Sequence, residues 1–280
     1  EIWFDTDDMF DTEAYLYMCR DRFWNGIRAD MAFCPTLSGY TTTKDCVSQG
    51  YPFSECISSL LGFCDEVVVV DGGSTDGTWE MLQELAQTER KLVVHQQPRD
   101  WNHPRSAVFD GAQKALARSL CTMDYCWQQD SDEIVHEDDY EKVKLLLGSI
   151  PKGISLLSLP VIEYWGSLEK VRVDVNAWKW RLSQNMPHIT HGIPAALRSF
   201  DENGELFSRP GSDGCDFIRN DSYEPVIAVN FMSPDDEQLK RQAMQDPVAL
   251  QRYEKWFNTM TKNIPSVHHF SWFNISRKIR

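Results

Sequence analysis

The stretch that decides the fold is Val67-Val68-Val69-Val70-Asp71-Gly72-Gly73-Ser74-Thr75-Asp76-Gly77. Four β-branched residues in a row mark a strand buried on both faces, as in a parallel sheet covered by helices. The run ends on a carboxylate and two glycines, which is a tight turn leading into the next helix. Working outward, Ala32–Leu37 reads as an earlier strand. Pro52 opens a helix with Phe53, Ile57, Leu60 and Leu61 on one face. Downstream, Thr78–Ala86 reads as a helix with Met81, Leu82 and Leu85 inward. Leu92–Val94 is a further strand, and 103–120 a helix with Val108, Ala112, Ala115, Leu116 and Ser119 on one side. Tyr125–Trp127 is another strand, and Val143, Leu146 and Leu147 mark another helix. Strand and helix alternating with short turns imply right-handed crossovers and an open, mostly parallel α/β sheet. After about residue 151 the pattern loosens into strand-like runs at Ile154–Val161 and Val171–Trp180 and a polar helix near 235–258. Glu1–Asp30 is acidic and aromatic and reads as a helical extension.

Composition narrows the function. The 280 residues carry 42 Asp+Glu against 28 Lys+Arg, a net charge of −14. Such a field repels a phosphate polymer, so nucleic acid is not an expected partner. A phosphate-bearing ligand needs a local device to overcome it. No run approaches the roughly 20 apolar residues of a membrane span, so no integral membrane segment is expected. The eight cysteines form no CxxC pair, and several sit in apolar segments. They read as reduced thiols in a cytoplasmic protein rather than as a disulfide framework.

In an open α/β sheet, ligands bind beyond the carboxyl ends of the strands. Two such ends carry chemistry. At the first, Asp71 can accept hydrogen bonds from a base or ribose while Gly73 lets a ligand approach the backbone; the structural alternative is a βα turn with a helix cap. The spacing is not that of a dinucleotide-binding GxGxxG, which disfavours a hydride-transfer enzyme. At the second, Asp130-Ser131-Asp132 follows the strand Tyr125–Trp127. Two carboxylates one residue apart suit a hard divalent cation, Mn²⁺ or Mg²⁺. From Asp130 to Glu141 seven residues in twelve are acidic. Glu137–Glu141 reads as a solvated helix start.

Tyr51-Pro52-Phe53, Cys64–Thr78 and Asp130-Ser131-Asp132-Glu133, in that order and spacing, resemble a family-2 glycosyltransferase with the GT-A fold. The strong part covers residues 33–140. The resemblance implies a GT-A (nucleotide-diphospho-sugar transferase) fold, with a mostly parallel central sheet flanked by helices and an irregular C-terminal acceptor half. It divides the chain into the extension at 1–30 and a domain at 31–280. Within that domain, 31–140 would bind the nucleotide sugar and 141–280 the acceptor. The implied donor is a nucleotide-diphosphate sugar, the implied acceptor a glycan or lipid-linked hydroxyl, and the implied transfer metal-dependent and inverting.

Carried over by position, Asp71 would contact base or ribose, with Thr36 and Ser38 at the end of the first strand beside it. Gly73 and Arg105 would face the nucleotide. Asp130 would lie near ribose and metal, and Asp132 would be the metal ligand. An inverting transfer needs a carboxylate to take the acceptor's proton. Asp213 is the first candidate and Asp216 the second, both in Gly211–Phe217, with Glu163 or Glu133 in reserve. A late histidine often completes the metal shell, and His269 is favoured over His268. His188 and His191 read as polar filling. Trp165, Trp178 and Trp180 can stack on sugars but read more readily as core. Arg277–Arg280 is basic and could meet a diphosphate or a lipid-linked acceptor. The rival activities are a sugar-phosphate nucleotidyltransferase, for which Leu37–Thr42 lacks a basic, Gly-rich phosphate loop, and a non-catalytic binding protein. The expected location is cytoplasmic or peripheral at a membrane.

Overall fold

A computed structural model describes residues 35–102, 107–150, 154–172, 178–187, 189, 191, 227–229, 239, 242–243 and 246–273. These fall into two compact units. One comprises the described residues of Thr36–Asp132 and Leu182–Val226, the other those of Glu133–Arg181 and Ile227–Arg280. The cut therefore falls at Asp132/Glu133, between two neighbours in the acidic run.

The first unit holds β1 (Leu37–Thr43), a single-turn α1 (Cys46–Gln49), α2 (Phe53–Phe63), β2 (Glu66–Asp71), α3 (Thr78–Thr88), β3 (Leu92–Gln96), α4 (Ala107–Ser119) and β4 (Tyr125–Gln128). β3, β2, β1 and β4 lie side by side, all parallel. Val67–Val70 are fully buried, as the unbroken apolar run requires. The helix α2 buries Phe53, Cys56, Ile57, Leu60 and Phe63, a 3.6-residue stripe. Chain order reverses between β1 and β4, which opens a crevice at their carboxyl ends.

Three local expectations change. The first described strand is Leu37–Thr43, so it begins where the expected one was to end; Pro35 and Thr36 are not strand, and Ala32–Cys34 lie outside the described residues. Its hydrophobic signal is weak because its buried side chains are polar: Ser38 donates to Glu66 (2.5 Å) and Thr43 to Asp71 (2.9 Å). Gly39 is there for contact, since a Cβ would stand 2.9 Å from both Cys64 Sγ and Leu60 Cδ2. Leu37–Thr42 is thus the strand itself, and the loop after it begins at Lys44. On α3, Met81 faces solvent and Leu82 carries the burial. On α4 the buried side is Gln113, Ala117 and Arg118, while Ser119 is exposed. Arg118 donates from Nε to the Ile189 carbonyl (2.6 Å) and from Nη2 to that of Gln184 (2.7 Å), so a charged residue marks the inner face.

The second unit holds β5 (Glu133–Val135), a 3₁₀ turn (Glu137–Asp139), α5 (Tyr140–Ser149), β6 (Ile154–Trp165), the start of β7 (Trp178–Gln184), β8 (Ile227–Val229), α6 (Pro247–Asn263) and β9 (Val267–Trp272). β9 pairs antiparallel with β5 and parallel with β6. The last residues of β7, Leu182–Gln184, pair antiparallel with β4 in the first unit to which they belong. Asp139 departs from the solvated reading: it is buried, ion-pairs with Lys142 (2.5 Å) and accepts from the Ser266 amide (2.8 Å), fixing the approach to β9. Among the described residues no helix is long and apolar enough to cross a membrane.

Candidate active site

The carboxyl ends of β1, β2 and β4 bring two turns to one edge of the first unit's sheet. Asp71 ends β2 with no solvent exposure. Its Oδ1 accepts from the amides of Gly73 (2.9 Å) and Ser74 (2.8 Å) and from Gln96 Nε2 (3.1 Å). Its Oδ2 accepts from Thr43 (2.9 Å) and Ser74 (2.5 Å) hydroxyls. A carboxylate has about four lone-pair sites, and five donors fill them. In this arrangement Asp71 shapes the turn. Gly73 takes φ 87°, open to glycine and costly to other residues. A Cβ on Gly72 would meet the Trp101 ring at 2.7 Å, and Trp101 Nε1 donates to the Gly72 carbonyl (2.8 Å).

The loop after β1 is laced to this turn. The Asp45 amide donates to Ser74 Oγ (2.8 Å), and its carboxylate accepts from the Thr75 amide (2.9 Å). Asp45 has φ 47°, the left-handed region that short polar side chains tolerate best. Lys44 donates to the Gly73 carbonyl (3.1 Å). Burial raises the Asp76 carboxyl, but the bonds from Ser48 and Thr78 together outweigh it and bring the group down to about 2.

The second turn leaves β4 after the buried Trp127, Gln128 and Gln129. Gln129 Nε2 donates to Ser59 Oγ (3.0 Å), tying the turn to α2. Asp130 Oδ1 accepts from Gln128 Nε2 (2.8 Å) and pairs with the Lys114 ammonium (2.9 Å), which also reaches Asp110 (3.2 Å). Asp132 is 6% exposed. Among the described residues no three His, Cys, Asp or Glu side chains are grouped to hold a metal ion. The oxygen donors of Asp130 and Asp132 nonetheless suit a hard cation, which commonly takes one or two carboxylates and completes its shell with substrate phosphates.

Thr36 and Ser38 need correcting. They stand at the amino end of β1, the opposite edge from Asp71: Thr36 donates to Asp124 (2.7 Å through its hydroxyl), Ser38 to Glu66. The hydroxyl beside Asp71 is that of Thr43. Arg105, Asp213, Asp216, His188, Arg277–Arg280 and the extension at 1–30 lie outside the described residues. His191 is buried and hydrogen-bonds the Tyr40 hydroxyl through Nε2 (2.5 Å), the polar filling expected of it.

His269, in the second unit, has its own carboxylate neighbours. Strand register sets it level with Glu133 on β5 and Glu163 on β6. Its Nδ1 lies 3.7 Å from Glu163 Oε2. The neighbouring His269, aided by the charges of Lys179 and Arg172 against the effect of burial, holds the Glu163 carboxyl below its usual range. Glu133 is wholly buried and ion-pairs with Arg181 (2.6 Å). Burial instead lowers His268, which hydrogen-bonds the Tyr164 hydroxyl (2.8 Å) and stacks on its ring.

Sequence reasoning missed Lys44 and Lys114, the two ammonium groups among the turns. Lys114 sits four residues after Asp110 on a helix, which reads as an ordinary surface pair.

The glycosyl transferase family 2 model matches residues 53–193, just over half of the chain. The class that the fold and the two strand-end turns define is a GT-A glycosyltransferase. The chain belongs to glycosyl transferase family 2. No curated protein sequence matches it. Solved structures give remote likenesses. Residues 1–349 of S. aureus TarS with UDP-GlcNAc are 21% identical over 47% of this chain and 36% of that one, at TM-score 0.38. S. aureus TarS is 15% identical over 86% and 44%, at TM-score 0.44. The Pyrobaculum calidifontis mannosyltransferase PcManGT, in complex with GDP-Man and Mn²⁺, is 12% identical over 90% and 81%, at TM-score 0.41. The chain thus spans less than half the length of these two TarS chains.

Proposed function

We propose that the protein transfers a sugar, with inversion and with the help of Mn²⁺ or Mg²⁺, from a nucleotide-diphosphate donor to a hydroxyl of a glycan or lipid-linked acceptor. The observation that carries this reading is the acidic turn Asp130-Ser131-Asp132, issuing from buried β4 at the same sheet edge as the Asp71–Gly77 turn. Asp130 and Asp132 would hold the cation. The cation, when bound, would screen the carboxylates and stabilise charge on the leaving diphosphate. Gly73 and Arg105 remain proposed nucleotide contacts. Asp213, or failing it Asp216, would take the acceptor's proton. The buried free thiols Cys46, Cys56, Cys64, Cys121 and Cys126 support a cytoplasmic location, alone or against a membrane surface.

A second reading has a specific observation behind it. The Lys114–Asp130 ion pair already places a cationic group on one carboxylate. In that version Lys114 meets the diphosphate itself and no metal is needed. The deciding experiment is nucleotide release from UDP-, GDP- and dTDP-sugars, with and without Mn²⁺. The metal-assisted reading expects metal-dependent turnover that falls by about 100-fold or more in Asp132→Ala. Full activity in chelator, lost in Lys114→Ala, selects the second reading. No donor binding or turnover under any condition sinks both. Asp213→Asn should abolish transfer with donor binding intact, and normal transfer would move the base elsewhere.

A further inference from the structure

A groove of about 910 Å³ lies within the second unit, between the end of β6 with its following hairpin and the face of α6. It is near the top of the range of about 300–1,000 Å³ usual for small-molecule sites. The strands explain its shape. Along β6 and β9, Glu163 pairs with His269 but Trp165 pairs with Trp272, so β9 carries one extra residue there. Such a bulge re-aims side chains. Here it brings Trp165 level with Trp272, with ring centroids 5.2 Å apart and planes 29° from parallel.

The chain then turns at Gly166 (φ 69°), and the Trp165 amide donates to the Lys170 carbonyl (2.9 Å) to close the hairpin. Arg172 follows. Its guanidinium lies over both indoles, 5.3 and 5.2 Å from their centroids, and its Nη1 is 3.5 Å from Glu163 Oε1. The result is a planar donor and an aromatic platform fixed before any ligand arrives. Trp165 itself is 38% exposed, contrary to the core reading of the tryptophans. On the facing wall α6 presents Phe257 and Asn258.

The charges on the lining cancel: Glu169 and Glu254 against Lys170 and Arg172. In a chain of net charge −14 this is a neutral patch. It suits neither a polyanion nor a polycation. Aromatic faces combined with planar polar groups on both walls match the alternating apolar and hydroxyl-bearing surfaces of a sugar ring.

We propose that this groove binds a neutral oligosaccharide, stacked on Trp165 and hydrogen-bonded by Arg172 and Asn258. As the acceptor site it rests on the transferase reading; as a binding site it does not. The test is saturation-transfer NMR on the full chain with neutral gluco-, manno- and N-acetylgluco-oligosaccharides, run beside the donor-release assay. Trp165→Ala and Asn258→Ala should weaken binding by about tenfold or more, and Trp165→Phe should restore most of it. The circular dichroism spectrum should be unchanged in all three, which separates lost binding from lost folding. No oligosaccharide binding while donor release persists overturns the groove and spares the transferase. Oligosaccharide binding without any donor release does the reverse. Equal binding by Trp165→Ala places the ligand elsewhere and overturns the proposal. Saturable binding of a dodecyl detergent in place of every sugar does so too, in favour of a lipid chain.

Discussion

The turns of the first unit and the strand pairs of the second reach a similar end by different means. At Asp71 the carboxylate is satisfied by groups close in sequence or on neighbouring strand ends: two turn amides, two hydroxyls and one amide side chain. At Glu133 it is satisfied by a buried guanidinium 48 residues away in the chain. Neutral donors held by a turn give modest, local energies. A buried ion pair gives strong dependence on one partner, because either charge alone is stranded without water. The acidic run divides along the same line: Asp130 and Asp132 fall to the first unit, Glu133 to the second.

The sharpest break of this comparison is Glu133→Ala. It leaves the Arg181 guanidinium buried without its closest carboxylate, and urea unfolding should report a loss of about 3–5 kcal/mol. A loss below 1 kcal/mol would mean the pair is solvated and the contrast false. Asp71→Asn should cost less, about 1–3 kcal/mol, because the Thr43 and Ser74 hydroxyls can rotate to accept from the new amide. If Asp71 instead contacts the nucleotide, this variant will weaken donor binding with stability unchanged.

The smallest effect is a pH dependence in the first unit. Asp76 sits at about 2 against an ordinary 3.8, so the unfolded chain binds more protons between those values. Its contribution is complete above 3.8 and disappears as pH falls through about 2. Asp76→Asn should flatten the acid limb of thermal stability in that window. The group is only partly buried, so solvent screens it and the change should be small. A second acid effect, at higher pH, belongs to His268. Burial lowers its folded value, so stability is complete above the ordinary 6.5 and declines as pH falls below it.

The parallel core was legible because Val67–Val70 has only one comfortable environment, and the Asp-Gly-Gly turn after it follows from backbone geometry. The acidic turn was legible for the same reason, since a buried strand runs straight into it. The first strand was misplaced because Ser38, Thr41 and Thr43 are buried yet polar, and a hydropathy pattern registers their chemistry rather than their partners. Asp139 was missed in the same way: its partners are Lys142 and an amide 127 residues on.

By itself, then, the sequence determined the alternation of strand and helix, the two strand-end turns and the family. These rest on near-neighbour periodicity and turn chemistry, which a linear string carries. Only the tertiary structure decided that Lys114 holds Asp130, that Glu133 belongs with Arg181, and that Trp165 faces a groove instead of a core. The first depends on a helix side chain meeting a turn from a different part of the chain, the second on how distant strands pair, and the third on a single extra residue in β9. Register is a property of paired strands, fixed only when distant segments pack, and one residue of slip would turn a strand's side chains to the other face.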